Sequence, residues 1–130
     1  MLIVRSPVRI SFAGGGTDLP AYYQRFGGAV LSTAINKYFY TVLTKRTDDN
    51  VQVISSDLQV IETWQDIARA DLKDERLNIP LAVMKDLAVH TPVNLFLASE
   101  IPPGTGLGSS ASVCVNIVKA LSVYMQIPVT

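Results

Sequence analysis

Apolar residues enter this chain as short β-branched runs and leave it as one long, almost unbroken stretch. Leu2 to Val4 and Val8 to Phe12 predict two short strands, with Pro7 between them marking an edge or a bend, because proline donates no ladder hydrogen bond. Leu19 to Phe26 predicts a short helix stopped by Gly27-Gly28. Gly28 to Ile35 continues apolar, and Lys37 to Arg46 has the aromatic and β-branched content of a strand. Thr47-Asp48-Asp49-Asn50 reads as a turn, which makes Val51 to Ser55, with its alternating faces, a hairpin partner; Leu58 to Thr63 gives another strand.

From Trp64 to Asn78 charges cluster and no period survives, so the pattern predicts a loop with one or two helical turns, and Trp64 is assigned to packing rather than to a ligand edge. Ile79 to Val89 has helical spacing, with Pro80 tolerable in the first turn and His90 closing the end where positive charge suits the dipole. Val93 to Ala98 is a buried strand ended by Pro102-Pro103. Ser109 to Met125 is a helix of about 25 Å. Its apolar residues surround most of its circumference, so it is expected to be central and covered on several sides, with Pro128 ending it. Several strands, a helix, a strand and a long helix argue for an α+β fold with helices packed on one face of a mixed β-sheet.

Composition narrows the partners. Lysine plus arginine equals aspartate plus glutamate at 11 each, so no basic field draws nucleic acid and any anion binding must be local. With 48% hydrophobic and 17% charged residues, the 130-residue chain is ordered, of single-core size, and apolar enough for a well-covered core or a buried partner surface. No apolar run reaches a membrane span, and Met-Leu-Ile-Val-Arg-Ser-Pro lacks a secretory signal's charged start and long apolar centre, so no membrane partner is expected and the chain reads as cytoplasmic. Cys114, the only cysteine, lies between valines in a helical stretch and is assigned to packing.

Chemistry concentrates between the last strand and the last helix. Gly104, Gly106 and Gly108 alternate with Thr105 and Leu107, leaving three backbone positions able to approach a ligand closely. Ser109 and Ser110 follow where a helix begins, and the first-turn N–H groups there have no intrahelical partner. A phosphate at that point accepts those bonds and meets the positive end of the helix dipole. The spacing G-x-G-x-G-S-S lacks the Lys-Ser/Thr ending of the P-loop and the G-x-G-x-x-G of a dinucleotide fingerprint, so neither reading fits. Near the N-terminus, Gly14-Gly15-Gly16-Thr17-Asp18 places a hydroxyl and a carboxylate just before a short helix, where Thr17 or Asp18 serves as an N-cap or as a ligand contact.

Pro-Pro-Gly-Thr-Gly-Leu-Gly-Ser-Ser-Ala-Ser, residues 102 to 112, resembles the second signature motif of the GHMP kinases, the superfamily named for galactokinase, homoserine kinase, mevalonate kinase and phosphomevalonate kinase. The resemblance implies that Pro103, Gly104, Thr105, Gly106, Leu107, Gly108, Ser109, Ser110 and Ala111 form the ATP phosphate loop, with the Ser110 hydroxyl near Mg²⁺. Ser6-Pro7-Val8-Arg9-Ile10-Ser11-Phe12-Ala13-Gly14-Gly15-Gly16-Thr17-Asp18-Leu19 looks like the first motif of the family. By that likeness Arg9 stands near the phosphoryl-transfer centre as the catalytic cation, and Gly15, Gly16, Thr17 and Asp18 form the sugar side. Val8 replaces the usual glycine, and Gly15-Gly16 replace the Glu-His of galactokinases, a variant that resembles the heptose 7-phosphate kinase branch. Two extra glycines leave room for a bulkier or already phosphorylated sugar.

The implied fold is ribosomal protein S5 domain 2-like. The implied activity is ATP-dependent phosphorylation of the anomeric oxygen of a heptose 7-phosphate. A fucose- or mevalonate-type kinase remains an alternative, as does a non-catalytic nucleotide-binding or assembly module. In family members the aspartate proposed as base, the acidic Mg²⁺ ligand and the C-terminal domain come after the second motif. Residues 1–130 therefore read as an N-terminal ATP-binding domain without that partner, expected to be inactive alone, to bind ATP weakly and to form homo-oligomers through bared surface.

Overall fold

The computed structural model describes residues 1–73, 76–105 and 109–128. Five strands, β1 (Leu2–Ala13), β2 (Leu31–Lys45), β3 (Val51–Ser55), β4 (Val60–Trp64) and β5 (Val93–Ser99), form one sheet in the order β1-β2-β5-β3-β4. β5 is antiparallel to β2 and parallel to β3, so the sheet is mixed. Three α-helices follow the predicted places: α1 (Pro20–Phe26), α2 (Asn78–Asp86) and α3 (Ser109–Met125). Short 3₁₀ turns at Gly15–Asp18 and Ile67–Arg69 complete the element order.

Strand alternation decides which face is covered. Phe39, Thr41 and Leu43 of β2, Val51 and Val53 of β3, and Val93, Leu95 and Leu97 of β5 are buried. The apolar members of that set form one core with Leu81 and Met84 of α2 and with Ile117, Ala120 and Leu121 of α3. Each fully buried aliphatic side chain there contributes about 1.5–3 kcal/mol by leaving water. α3 lies against β1 and β2 and also against α2, which makes it the keel of the helical layer. The α+β architecture with helices on one face of a mixed sheet is the one expected.

Several element boundaries and one pairing differ from expectation. The two strands foreseen on either side of Pro7 are one, because β1 is an edge strand and can carry a residue without an N–H. The runs on either side of Asn36 likewise merge into the 15-residue β2. β3 is not the hairpin partner of β2: β5 lies between them, and β3 pairs with β4 instead. Amphipathic alternation fixes which way side chains face and says nothing about which strand is the neighbour. Parallel pairing of β3 and β5 requires a crossover, and that crossover carries α2 onto the sheet.

α2 ends at Asp86 rather than at His90. Ala88 turns left-handed with φ 49°, the Leu87, Ala88 and Val89 N–H groups bond to the carbonyls of Val83, Lys85 and Met84, and exposed His90 lies beyond. Backbone closes this helix, so a histidine cap has nothing left to satisfy. α3 is covered by the sheet and by α2 but keeps one open stripe, where Val115 is 63% exposed and Val123 46% exposed. Trp64 packs against the core from the end of β4, and Cys114 packs half-buried against it from α3, both as assigned.

Candidate functional site

Arg9 lies exposed on β1 just past a break in strand register. From the Pro7–Tyr38 pair to the Arg9–Ala34 pair, β1 advances two residues while β2 covers four, a bulge of the kind that re-aims side chains. Arg9 lines an open cavity of about 420 Å³ together with Pro7 of β1 and with Ala111 and Ser112 of the first turn of α3. Two segments about a hundred positions apart in the chain thus meet where a cation and first-turn N–H groups, which have no partner within the helix itself, can act on one ligand.

Hydrogen bonds tie the two together. Ser6 Oγ donates to the Ser112 carbonyl at 3.0 Å, and Ser112 Oγ donates to the Pro7 carbonyl at 3.0 Å. Asn116 Nδ2 donates to Ser6 Oγ at 3.0 Å and to the Phe39 carbonyl at 3.2 Å. Leading into α3, Pro103, Gly104 and Thr105 are exposed, as are Ser110 and Ala111. Gly104 has φ 81° with no atom within 4 Å of where a Cβ would stand, so it is the conformation that favours glycine there. Gly106, Leu107 and Gly108, and the side chain of Ser109, lie outside the described residues.

The loop at Gly14–Asp18 is braced from the start of β2. The Thr17 hydroxyl lies 2.7 Å from the Gly14 carbonyl oxygen and 3.0 Å from that of Ala29, and it accepts from the Ala29 N–H at 3.1 Å. A Cβ on Gly14 would stand 1.9 Å from the Ala29 oxygen, and one on Gly28 would stand 2.7 Å from the Thr17 oxygen. Neither Thr17 nor Asp18 caps α1, whose N-cap is Leu19 without a side-chain bond. Asp18 is instead exposed at the edge of a cavity of about 300 Å³, which Tyr23 and Val30 also line. A Cβ on Gly16 would meet nothing within 4 Å, and one on Gly15 would meet only Ser11 Oγ, at 4.0 Å, so space beside this loop is open.

A third cavity, of about 190 Å³, opens beside Pro103 and the start of α3. Its walls include Phe39, Leu58, Leu97, Ile101 and Pro103, with Ser110 at the helix end and Asp57 and Asn78 as polar neighbours. Sequence reading marks Pro103 and Ser110 and misses the rest, because they come from separate strands, turns and helices and share no local motif. Tyr38 and Tyr40 line none of these three cavities; they pack against each other with ring centroids 6.2 Å apart. Among the described residues no group of three or more His, Cys, Asp or Glu could hold a metal ion, and no helix is long and apolar enough to cross a membrane.

Residues 76–130 match the family described as GHMP kinases N terminal domain. The chain is 29% identical over 128 residues to the D-glycero-alpha-D-manno-heptose 7-phosphate kinase of Campylobacter jejuni, a match covering 95% of this chain and 38% of that protein. It is 34% identical over 115 residues to the galactokinase of Ligilactobacillus salivarius, covering 82% of this chain and 28% of that one. Among solved structures, the D-glycero-D-manno-heptose 1-phosphate kinase from Bacteriodes thetaiotaomicron superposes with a TM-score of 0.86 at 22% identity, over 99% of this chain and 44% of that one, which speaks for a shared fold. The chain is thus similar to GHMP kinases, and its residues 76–130 carry the match to their N-terminal domain. The similar proteins include a heptose 7-phosphate kinase and a galactokinase, and the chain spans 38% and 28% of their lengths.

Proposed function

We propose that these 130 residues are the nucleotide-binding part of an ATP-dependent cytoplasmic sugar kinase that transfers the γ-phosphoryl group to the anomeric oxygen of a heptose 7-phosphate. The observation that carries this reading is the cavity shared by Arg9 and the first turn of α3. Phosphoryl transfer rests on positioning and on neutralising charge as the γ-phosphoryl group moves toward its acceptor. In this reading the N–H groups between Gly104 and Ala111 bond the triphosphate, and Arg9 stabilises charge on the migrating group, most strongly in the transition state.

The apolar cavity beside Pro103 suits a flat adenine, which needs contact area and few polar partners. Asp18 orients acceptor hydroxyls beside Tyr23, while Thr17 lines the same cavity and also holds the loop through its bonds to Gly14 and Ala29. The open space at Gly15 and Gly16 favours a bulky, already phosphorylated acceptor over galactose. Mg²⁺ is expected with ATP, yet Ser110 supplies a single hydroxyl, and the described residues alone do not make an oxygen cage for it.

The test is an acceptor panel with a protein of the relatives' full length that carries these residues. Heptose 7-phosphate is expected to show the highest kcat/KM, with galactose and mevalonate at least tenfold lower. Preference for galactose or mevalonate overturns the substrate assignment, and phosphoryl transfer to none of the three overturns the kinase reading itself.

A further inference from the structure

Asn116 is fully buried on the covered side of α3, beside Ile117 and one turn before Ala120 and Leu121. A buried amide is costly to hide unless it is bonded; here its Nδ2 reaches two different strands, Ser6 of β1 and the Phe39 carbonyl of β2, while its Oδ1 has no partner among the described residues. One turn earlier on the same helix face, Ser112 and β1 exchange bonds in both directions, from Ser6 Oγ to the Ser112 carbonyl and from Ser112 Oγ to the Pro7 carbonyl. Apolar contact is non-directional and lets a helix slide or rotate on a sheet. Four directed bonds from two consecutive turns permit one rotation and one depth.

We infer that Ser6, Ser112 and Asn116 form a positioning clasp that sets the height of the first turn of α3 relative to Arg9. The clasp is anchored on Pro7, two residues before Arg9, and on Ser112, three residues into a helix whose start is the proposed phosphate seat. The consequence for nucleotide rests on the kinase reading; the consequence for the helix does not. None of the three side chains needs to touch phosphate. They act through the distance between the Arg9 cation and the helix N–H groups, and a misplacement of about 1 Å matters in group transfer.

The experiment compares Ser112→Ala, Ser112→Thr and Asn116→Leu with the wild-type chain by thermal melting, amide hydrogen exchange over residues 109–117, and ATP titration. Asn116→Leu tests the role apart from folding, since leucine fills the same apolar surroundings. Expected are faster exchange in the first two turns of α3 and at least tenfold weaker ATP binding for Ser112→Ala and Asn116→Leu, with Asn116→Leu melting no lower than wild type. Ser112→Thr keeps the hydroxyl and is expected to restore both properties. Wild-type exchange and wild-type affinity in Ser112→Ala and Asn116→Leu overturn the clasp, as does affinity lost only in step with melting temperature. A wild-type chain that binds no ATP counts against the kinase reading alone; the exchange data then decide the clasp.

Discussion

A methyl group added at Gly14 would stand 1.9 Å from the carbonyl oxygen of Ala29, at a φ of 86° that an L-residue adopts under strain. Replacing Gly14 by Ala is therefore expected to lower stability by about 1–3 kcal/mol or more, read as a drop in urea midpoint. Gly16→Ala meets no atom within 4 Å, so its stability should stay within about 0.5 kcal/mol of wild type while acceptor KM rises in a full-length enzyme. The sequence marks the three glycines identically, and it is the approach of Ala29, thirteen to fifteen residues further on, that separates them. Thr17 behaves the same way. Its place beside Asp18 suggested sugar or cap, and the structure engages its hydroxyl with the backbone of Gly14 and Ala29. Thr17→Val keeps the shape and removes those bonds, with an expected loss of about 1–3 kcal/mol and slacker order at Asp18.

At the scale of elements, α3 was legible to the residue because a glycine loop and Pro128 bracket a long apolar run. The seam between β2, β5 and β3 was not, since Arg46 reads as the last residue of a strand before an ordinary turn. Its guanidinium grips Asp48 at 2.6 Å and reaches both Gln52 of β3 and Asn94 of β5. That brace fixes the interposed β5 through side chains 6 and 48 positions away, a separation no local pattern reports. Bonds from Arg46 and Asn50 hold the Asp48 carboxyl well below the usual carboxylate range. A depressed folded pKa means stability that is present above the unfolded pKa of about 3.9 and lost as pH falls through the acid range. Asp48→Asn should therefore melt below wild type at pH 6, and the gap should close as pH falls below about 4. In the core, Leu121→Ala at full burial is expected to cost about 2–5 kcal/mol.

Over the whole molecule, two cavities draw on β1, β2, β3, β5 and the starts of α2 and α3, and a third is lined by the Gly15–Asp18 turn, α1 and residues 28–30. The residues carrying the family motifs were readable from the sequence, because they are contiguous. The apolar cavity and the Ser6–Ser112–Asn116 bonds were not, because folding alone makes them neighbours. Phe12, Leu19, Phe26 and Leu31 are exposed on either side of the Gly14–Asp18 loop in the chain, and Val115 and Val123 are exposed on α3. Apolar surface of this extent predicts self-association at high concentration, seen in light scattering as a mass above 14.1 kDa that falls on dilution.

The central claim is that a nucleotide's phosphates seat at the start of α3 beside Arg9, and amide chemical shifts of the labelled chain during ATP titration test it most directly. The predicted result is a saturable response concentrated in residues 104–105 and 109–112 and at Arg9, weakened at least tenfold in affinity by Arg9→Ala. Saturable shifts confined to the outer face of the sheet, or an affinity indifferent to Arg9→Ala, would contradict it.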